Sequence, residues 1–199
     1  MKRLLSFLLI GFASAAHAVE EPAFEVVQQL DGAEVRLYAP YVVAEVTVAG
    51  PADQAGSAAF PILAGYIFGK NKGEKRFDMT APVTQAATPE GFLVQFVLPS
   101  GVTLATAPEP EDARVRLREV LGQRVAVIRY SGFWSQANER EHLAKLQRIL
   151  REAQISWTGE PVLSRYDPPF MPWFLRRNEI WLTVSSASDQ KPTQKETTP

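Results

Sequence analysis

The chain has 199 residues, 46% of them hydrophobic and 22% charged, with 21 basic against 22 acidic side chains and no cysteine. That is enough chain for one domain around one core, and a near-neutral balance leaves no basic footprint for nucleic acid. Without cysteine there is no lipid-anchored thiol, disulfide framework, thiolate metal site or cysteine nucleophile.

Met1-Lys2-Arg3, an apolar run from Leu4 to about Ala16 and a closing Ala16-His17-Ala18 have the pattern of a secretory signal peptide. The run is shorter than the roughly 20 residues a spanning helix needs. The expectation is an exported chain, periplasmic or secreted, with no membrane span and a mature start near Val19. Losing Lys2 and Arg3 brings the formal charge to −3. One domain then runs from 19 to 185. Residues 186–199, rich in Ser, Thr, Gln and Lys, hold too little apolar surface to offset their ordering entropy and read as a disordered tail.

Strand signals open the domain: Phe24 to Val27, Glu34 to Tyr38, and Tyr41 to Val48, where Val42, Ala44, Val46 and Val48 share one face. Asp31-Gly32 and Ala39-Pro40 supply turns between them. After Gly50-Pro51, Asp53 is a candidate cap for a helix that runs to about Phe68, stops at Gly69 and is expected to kink at Pro61. Strands at Met79 to Gln85 and Phe92 to Leu98 follow. The second half repeats the order: Arg114 to Val120, Gln123 to Tyr130, a Gly132 break, a helix from Ser135 to about Ala153, then Val162 to Tyr166 and Glu179 to Val184. Val43-Ala44, Val46 and Gly50 recur at an offset of 82 as Val125-Ala126, Ile128 and Gly132, and Val35-Arg36-Leu37 recurs at 80 as Val115-Arg116-Leu117. Two units of strands around a helix predict an α+β domain: a distorted antiparallel β-barrel flanked by two helices, with a pseudo-twofold axis.

The two helices differ. The second carries Glu139, Arg140, Glu141, Lys145, Arg148, Arg151 and Glu152 around one stripe of Leu143, Leu146, Leu150 and Ala153, the pattern of a half-buried helix. The first has no charged residue from Gln54 to Gly69, and its apolar side chains spread over more than one face. The extra face must meet another part of the chain, a partner or a ligand. Next comes Lys70-Asn71-Lys72-Gly73-Glu74-Lys75-Arg76, four cations against one carboxylate. A greasy surface beside a cationic loop suits a planar amphipathic acid: Leu63, Tyr66, Ile67 and Met79 would wall the ligand, and Lys72 and Lys75 would meet its carboxylates. Phe170, Met171 and Trp173 sit in a proline-rich, lid-like stretch ending at Arg176, which could close over the helix. The plain alternative is that this stretch covers the helix and the basic loop is a solvated turn.

Catalytic signatures are absent: there is no G-x-S-x-G, no H-E-x-x-H, no glycine-rich phosphate loop and no histidine constellation. No catalytic and no metal-binding residue is assigned, and the reading is a binding protein and not an enzyme.

The stretches Phe24 to Val27, Glu34 to Glu45, Phe60 to Gly69 and Asn71-Lys72 through Met79-Thr80-Ala81-Pro82-Val83 resemble the SOUL heme-binding proteins. So does Tyr166-Asp167-Pro168-Pro169-Phe170 leading to Arg176-Arg177-Asn178-Glu179-Ile180-Trp181. The resemblance implies a barrel with two flanking helices and an apolar cleft beside the first helix that takes heme or another tetrapyrrole, with basic residues near the propionates and, in some members, a histidine on the iron. Here Ser57 and Gly65 stand where some members carry basic residues, and His142 is the sole histidine after residue 18, among charges on the second helix. Heme, if bound, is therefore expected to bind weakly and without a histidine axial ligand. Met79 and Tyr66 are of types that ligate iron elsewhere but read as cleft wall. The fold so implied is also similar to the gyrase-inhibitor-like ligand-binding domains, in which a cleft carboxylate, here Glu45 or Glu179, attracts lipophilic cations. A third reading makes the apolar helix a protein-docking face.

Overall fold

The computed structural model describes residues 19–185; the leader-like residues 1–18 and the tail 186–199 lie outside them. The elements are β1 (Phe24–Leu30), β2 (Ala33–Tyr38), β3 (Tyr41–Val48), α1 (Ala52–Ile67), β4 (Val83–Thr88), β5 (Gly91–Val97), β6 (Arg116–Val120), β7 (Gln123–Tyr130), α2 (Gln136–Glu152), β8 (Trp157–Arg165) and β9 (Asn178–Val184), with a short 3-10 turn at Trp173–Leu175.

Local chemistry sets the boundaries. Ser135 caps α2, its hydroxyl accepting from the Asn138 amide at 3.3 Å. Asp53 does not cap α1. Pro51 holds that position without a side-chain bond, and Asp53 lies in the first turn, where its charge still meets the positive end of the helix. Gly69, at φ 107°, supplies the left-handed residue that ends α1. The strand expected from Met79 starts only at Val83. Pro82 has no N–H to give a ladder, and Thr80 instead donates its hydroxyl to the Val97 carbonyl at 2.6 Å.

All pairings are antiparallel, in the order β1-β2-β7-β9-β8-β4-β5-β3-β6. From β2 inward the order β2-β7-β9-β8 mirrors β6-β3-β5-β4 from the other end. The repeat is real, with one twist: each unit lends its first strand to the other, so β2 lies against β7 and β6 against β3. At the centre Thr84 of β4 faces Ser164 of β8.

The sheet is not closed into a barrel. Its edges are β1, which carries a register shift between Val26 and Gln28, and β6, whose sequence Arg-Leu-Arg-Glu-Val puts charges along the edge. Bulges and charges of this kind keep an edge unpaired. Alternation along a strand assigns faces but does not say whether the last strand meets the first.

Both helices lie on one face, each over its own core. Beneath α1 are Val42, Ala44, Val46, Val94 and Phe96; beneath α2 are Val35, Ala126, Ile128, Ile180 and Leu182. The second apolar face of α1 is covered by its own chain. Phe77, Val102, Ala107 and Val115 pack on the same cluster, and Tyr66 donates its hydroxyl to the Pro108 carbonyl at 3.0 Å. Of the occupants open to that face, the segment between β5 and β6 is the one present, and not the proline-rich stretch near the C-terminus.

Candidate functional site

The expected site residues separate into three places. Leu63, Tyr66 and Ile67 are at most 1% exposed inside the first core, with Met79 partly buried against it. They face inward as walls of that core. Burial also pushes the Tyr66 hydroxyl up to about 12. Lys72 and Lys75 are exposed beyond the C-terminal end of α1. Lys72 Nζ lies 2.6 Å from Glu109, and Lys75 Nζ lies over the Phe77 ring at 5.1 Å. Phe170, Met171, Trp173 and Arg176 form a third group elsewhere, against the loop that enters α2.

That third group is an outward-facing aromatic surface. Phe170 is 84% exposed, and Phe133, Trp173, Phe174 and Leu175 are all about half exposed or more. Trp173 stacks on Phe133 with centroids 5.3 Å apart and meets Phe174 edge-on at 5.5 Å. The backbone beneath is pinned: Gly132 donates its amide to the Trp173 carbonyl at 2.9 Å, and Arg176 donates to the carbonyls of Met171 at 2.8 Å and Pro169 at 2.5 Å. A proline-rich segment held this way keeps its apolar side chains in water without collapsing over them, and contiguous exposed apolar area marks an interaction surface.

The cations beside this surface are arginines. Arg165 and Arg176 both place their guanidinium groups over Trp134, at 4.8 and 4.6 Å from the ring centroid. A Cβ at Gly56 of α1 would stand 3.0 Å from Arg165 Nη1. The aromatic surface therefore borders the N-terminal half of α1, one turn before the half-exposed Phe60. The stretch from Gly56 to Ile67 spans about 17 Å at 1.5 Å per residue, which sets the basic loop at the opposite end of the helix.

Phe133, Trp134, Phe174 and Arg165 were not singled out in the sequence. The available signal was Phe133-Trp134 just after the Gly132 break, two aromatics in a turn that precedes a polar helix. His142, half-buried on α2, stacks on Tyr130 at 4.3 Å and directs Nδ1 to the Asn138 carbonyl at 2.8 Å. Among the described residues no group of three or more His, Asp or Glu is placed to hold a metal, and no helix is long and apolar enough to cross a membrane.

The opposite face of the sheet holds a buried polar cluster. Glu179, fully buried, accepts from Arg36 Nη1 and Nη2 at 2.8 and 3.1 Å, Arg177 Nε at 3.0 Å, the Tyr166 hydroxyl at 2.8 Å and Trp181 Nε1 at 2.9 Å. Burial alone would raise its carboxyl, but the hydrogen bonds and charges of Arg36, Trp181 and Arg177 outweigh it and hold Glu179 below the ordinary range. Tyr166 is pushed far up by burial, reinforced by Glu179 and Tyr38. Glu45 likewise accepts from Gln95 at 2.8 Å and Arg118 at 3.0 Å. Each of these carboxylates is matched by arginine, so neither offers a free charge to a lipophilic cation.

Fold and surface together define a two-unit α+β protein with helices on one face of an open sheet and an aromatic surface at a rim. The chain belongs to the SOUL heme-binding protein family, which matches residues 19–183. It is 31% identical to heme-binding protein 1 of Mus musculus over 140 residues, 66% of this chain and 73% of that protein. It is 29% identical to heme-binding protein 2 of Mus musculus over 186 residues, 87% and 90% of the two chains. In fold it is similar to the EcmrR C-terminal domain (TM-score 0.58, 13% identity, 77% and 97% of the two chains). It is also similar to a hydrolase from Listeria innocua (TM-score 0.55, 17% identity, 80% and 94%).

Proposed function

We propose that this chain binds heme or a related tetrapyrrole, without catalysis, on the aromatic surface of Phe133, Phe170, Trp173 and Phe174, beside the guanidinium groups of Arg165 and Arg176. The observation that carries this is a set of large apolar side chains held in solvent by a pinned backbone, in a chain whose relatives are named for heme binding. A porphyrin is a flat apolar body with anionic edges, and an aromatic platform next to guanidinium groups matches both features. When bound, heme would supply iron chemistry; the residues here hold the macrocycle by its faces and edges, and no histidine is assigned to the metal.

The test is a titration with ferric heme and metal-free protoporphyrin, following the Soret band and tryptophan quenching. Both ligands are expected to bind with similar affinity, and His142→Ala to change neither. Trp173→Ala combined with Phe174→Ala should weaken both about tenfold or more. Heme binding that survives the double replacement, or that disappears with His142, overturns the assignment. We also propose export of the chain, supported by Lys2-Arg3, the apolar run and Ala16-His17-Ala18. Mass spectrometry of protein from its host should give an N-terminus near Val19, and recovery of an intact Met1 chain from cytoplasm would refute this.

A further inference from the structure

The two helices sit over separate cores, and the central strands β4 and β8 between them belong fully to neither. On the helix face this seam leaves a groove of about 270 Å³, walled by Ala52 at the start of α1, Phe92 of β5, Leu143 of α2 and Leu163 of β8. Its apolar walls are each only partly buried, so the groove opens to solvent.

One polar group in the groove is not accounted for by the fold. Gln85 of β4 lines it and is 3% exposed. Its Nε2 donates to the Ala52 carbonyl at 2.9 Å, and since a carbonyl can only accept, the amide cannot be turned around. The Oε1 atom is left buried with no partner. A buried acceptor is costly unless something donates to it, and a leucine here would fill the space with no such cost. The other polar groups of the lining have partners of their own: Glu139 is matched by Arg165 Nη2 at 3.6 Å, and Arg140 Nη1 donates to Gln136 Oε1 at 3.3 Å.

We infer that this seam is a second binding site, distinct from the aromatic surface, for a small, mostly apolar molecule carrying one hydrogen-bond donor such as a hydroxyl. The apolar body lies between Phe92 and Leu143, and the hydroxyl donates to Gln85 Oε1. Small-molecule sites are commonly built this way, from apolar walls and a few placed polar groups at the junction of two structural units. A site that hydrogen-bonds a hydroxyl discriminates strongly against the same shape lacking the donor.

The probe pair is 1-naphthol and 1-methoxynaphthalene, nearly the same shape with and without a donor, titrated into methyl-labelled full-length mature protein by NMR. The expected result is saturable shifts of the Ala52, Leu143 and Leu163 methyls, with 1-naphthol binding at least about tenfold tighter. Gln85→Leu should abolish that preference. Leu143→Arg, on the open side of α2, should block 1-naphthol while leaving protoporphyrin quenching unchanged. Equal affinity for the two probes in the unaltered protein, or shifts confined to the Phe133–Trp173 surface, overturns the inference. Because the protoporphyrin measurement does not involve the groove, failure here and failure of the tetrapyrrole assignment are distinguishable.

Discussion

α1 and α2 lie on the same face of the same sheet at equivalent positions of a repeat, yet one has no charged side chain after its first turn and the other is charged along its whole outer face. The difference follows from what lies on their far sides. α2 faces solvent, whereas α1 is sandwiched between the sheet and the segment linking β5 to β6, which brings Val102, Ala107 and Val115 onto it. A helix without charge therefore records a second layer of its own chain. Ligand-facing apolar surface must be sought among residues that remain exposed, and one group of these gathers at Phe133, Phe170 and Trp173 to Leu175.

The sharpest way to break this comparison is to put the same carboxylate on both helices. Ile67→Glu buries an unpaired charge at a position 1% exposed and should unfold the protein or cost upwards of about 4 kcal/mol. Ala144→Glu on the solvent side of α2 should stay within about 0.5 kcal/mol. Urea denaturation reads both, and near-equal costs would mean that α1 is not sandwiched.

A second contrast between the units lies on the other face of the sheet. Gln95 opposite Thr84 on β5, and Glu179 opposite Ser164 on β9, occupy corresponding places about the central Thr84–Ser164 pair. The first unit puts a neutral amide there and the second a fully buried carboxylate. Glu179→Gln strands Arg36 and Arg177 and should cost about 3–5 kcal/mol. At about 2–4 °C per kcal/mol for a domain of this size, the melting temperature should fall by about 10 °C. Because the folded carboxyl titrates below its ordinary value of 4.5, its stabilising contribution is complete above that pH and is lost as pH falls through the lower folded value. The stability gap between the two proteins should accordingly narrow below about pH 4.5, and a gap that stays constant into acid would show the carboxylate to be unpaired. Gln95→Ala removes a bond to Glu45 and one from Thr84 at a half-buried position, and the smaller expectation is about 1–2 kcal/mol by the same melt.

Much of this architecture is legible in the residues. Val42, Ala44 and Val46 alternate as they should, the 82-residue offset finds the second unit, and Gly69 stops α1 where expected. The exchange of β2 and β6 between units and the open edge are not legible, because periodicity fixes a residue's face but not its neighbour. The same limit explains why Leu63, Tyr66 and Ile67 read as ligand wall: their pattern demands a cover, and only the tertiary path of residues 98–115 says that the chain provides it. Phe133 and Trp173 stack across 40 residues of sequence, next to the Gly132 amide that donates to the Trp173 carbonyl, a pairing with no local signal.

The smallest effect concerns the two cationic regions at opposite ends of α1. Lys72 and Glu109 are 65% and 68% exposed, and an ion pair in that setting contributes less than about 0.5 kcal/mol and weakens further with salt. Lys72→Glu should therefore leave the melt unchanged. It should also leave protoporphyrin binding unchanged, because the loop begins past Gly69 while the aromatic surface meets the helix near Gly56. Arg176 sits differently: its guanidinium both lies over Trp134 and ties down the Met171 and Pro169 carbonyls. Arg176→Lys keeps the charge but loses the planar fork that makes both carbonyl bonds at once, so binding should weaken several-fold for protoporphyrin and for its dimethyl ester alike. If Lys72→Glu weakens only the free dicarboxylate while Arg176→Lys does nothing, the carboxylates are held at the basic loop and the ligand surface belongs at the other end of α1.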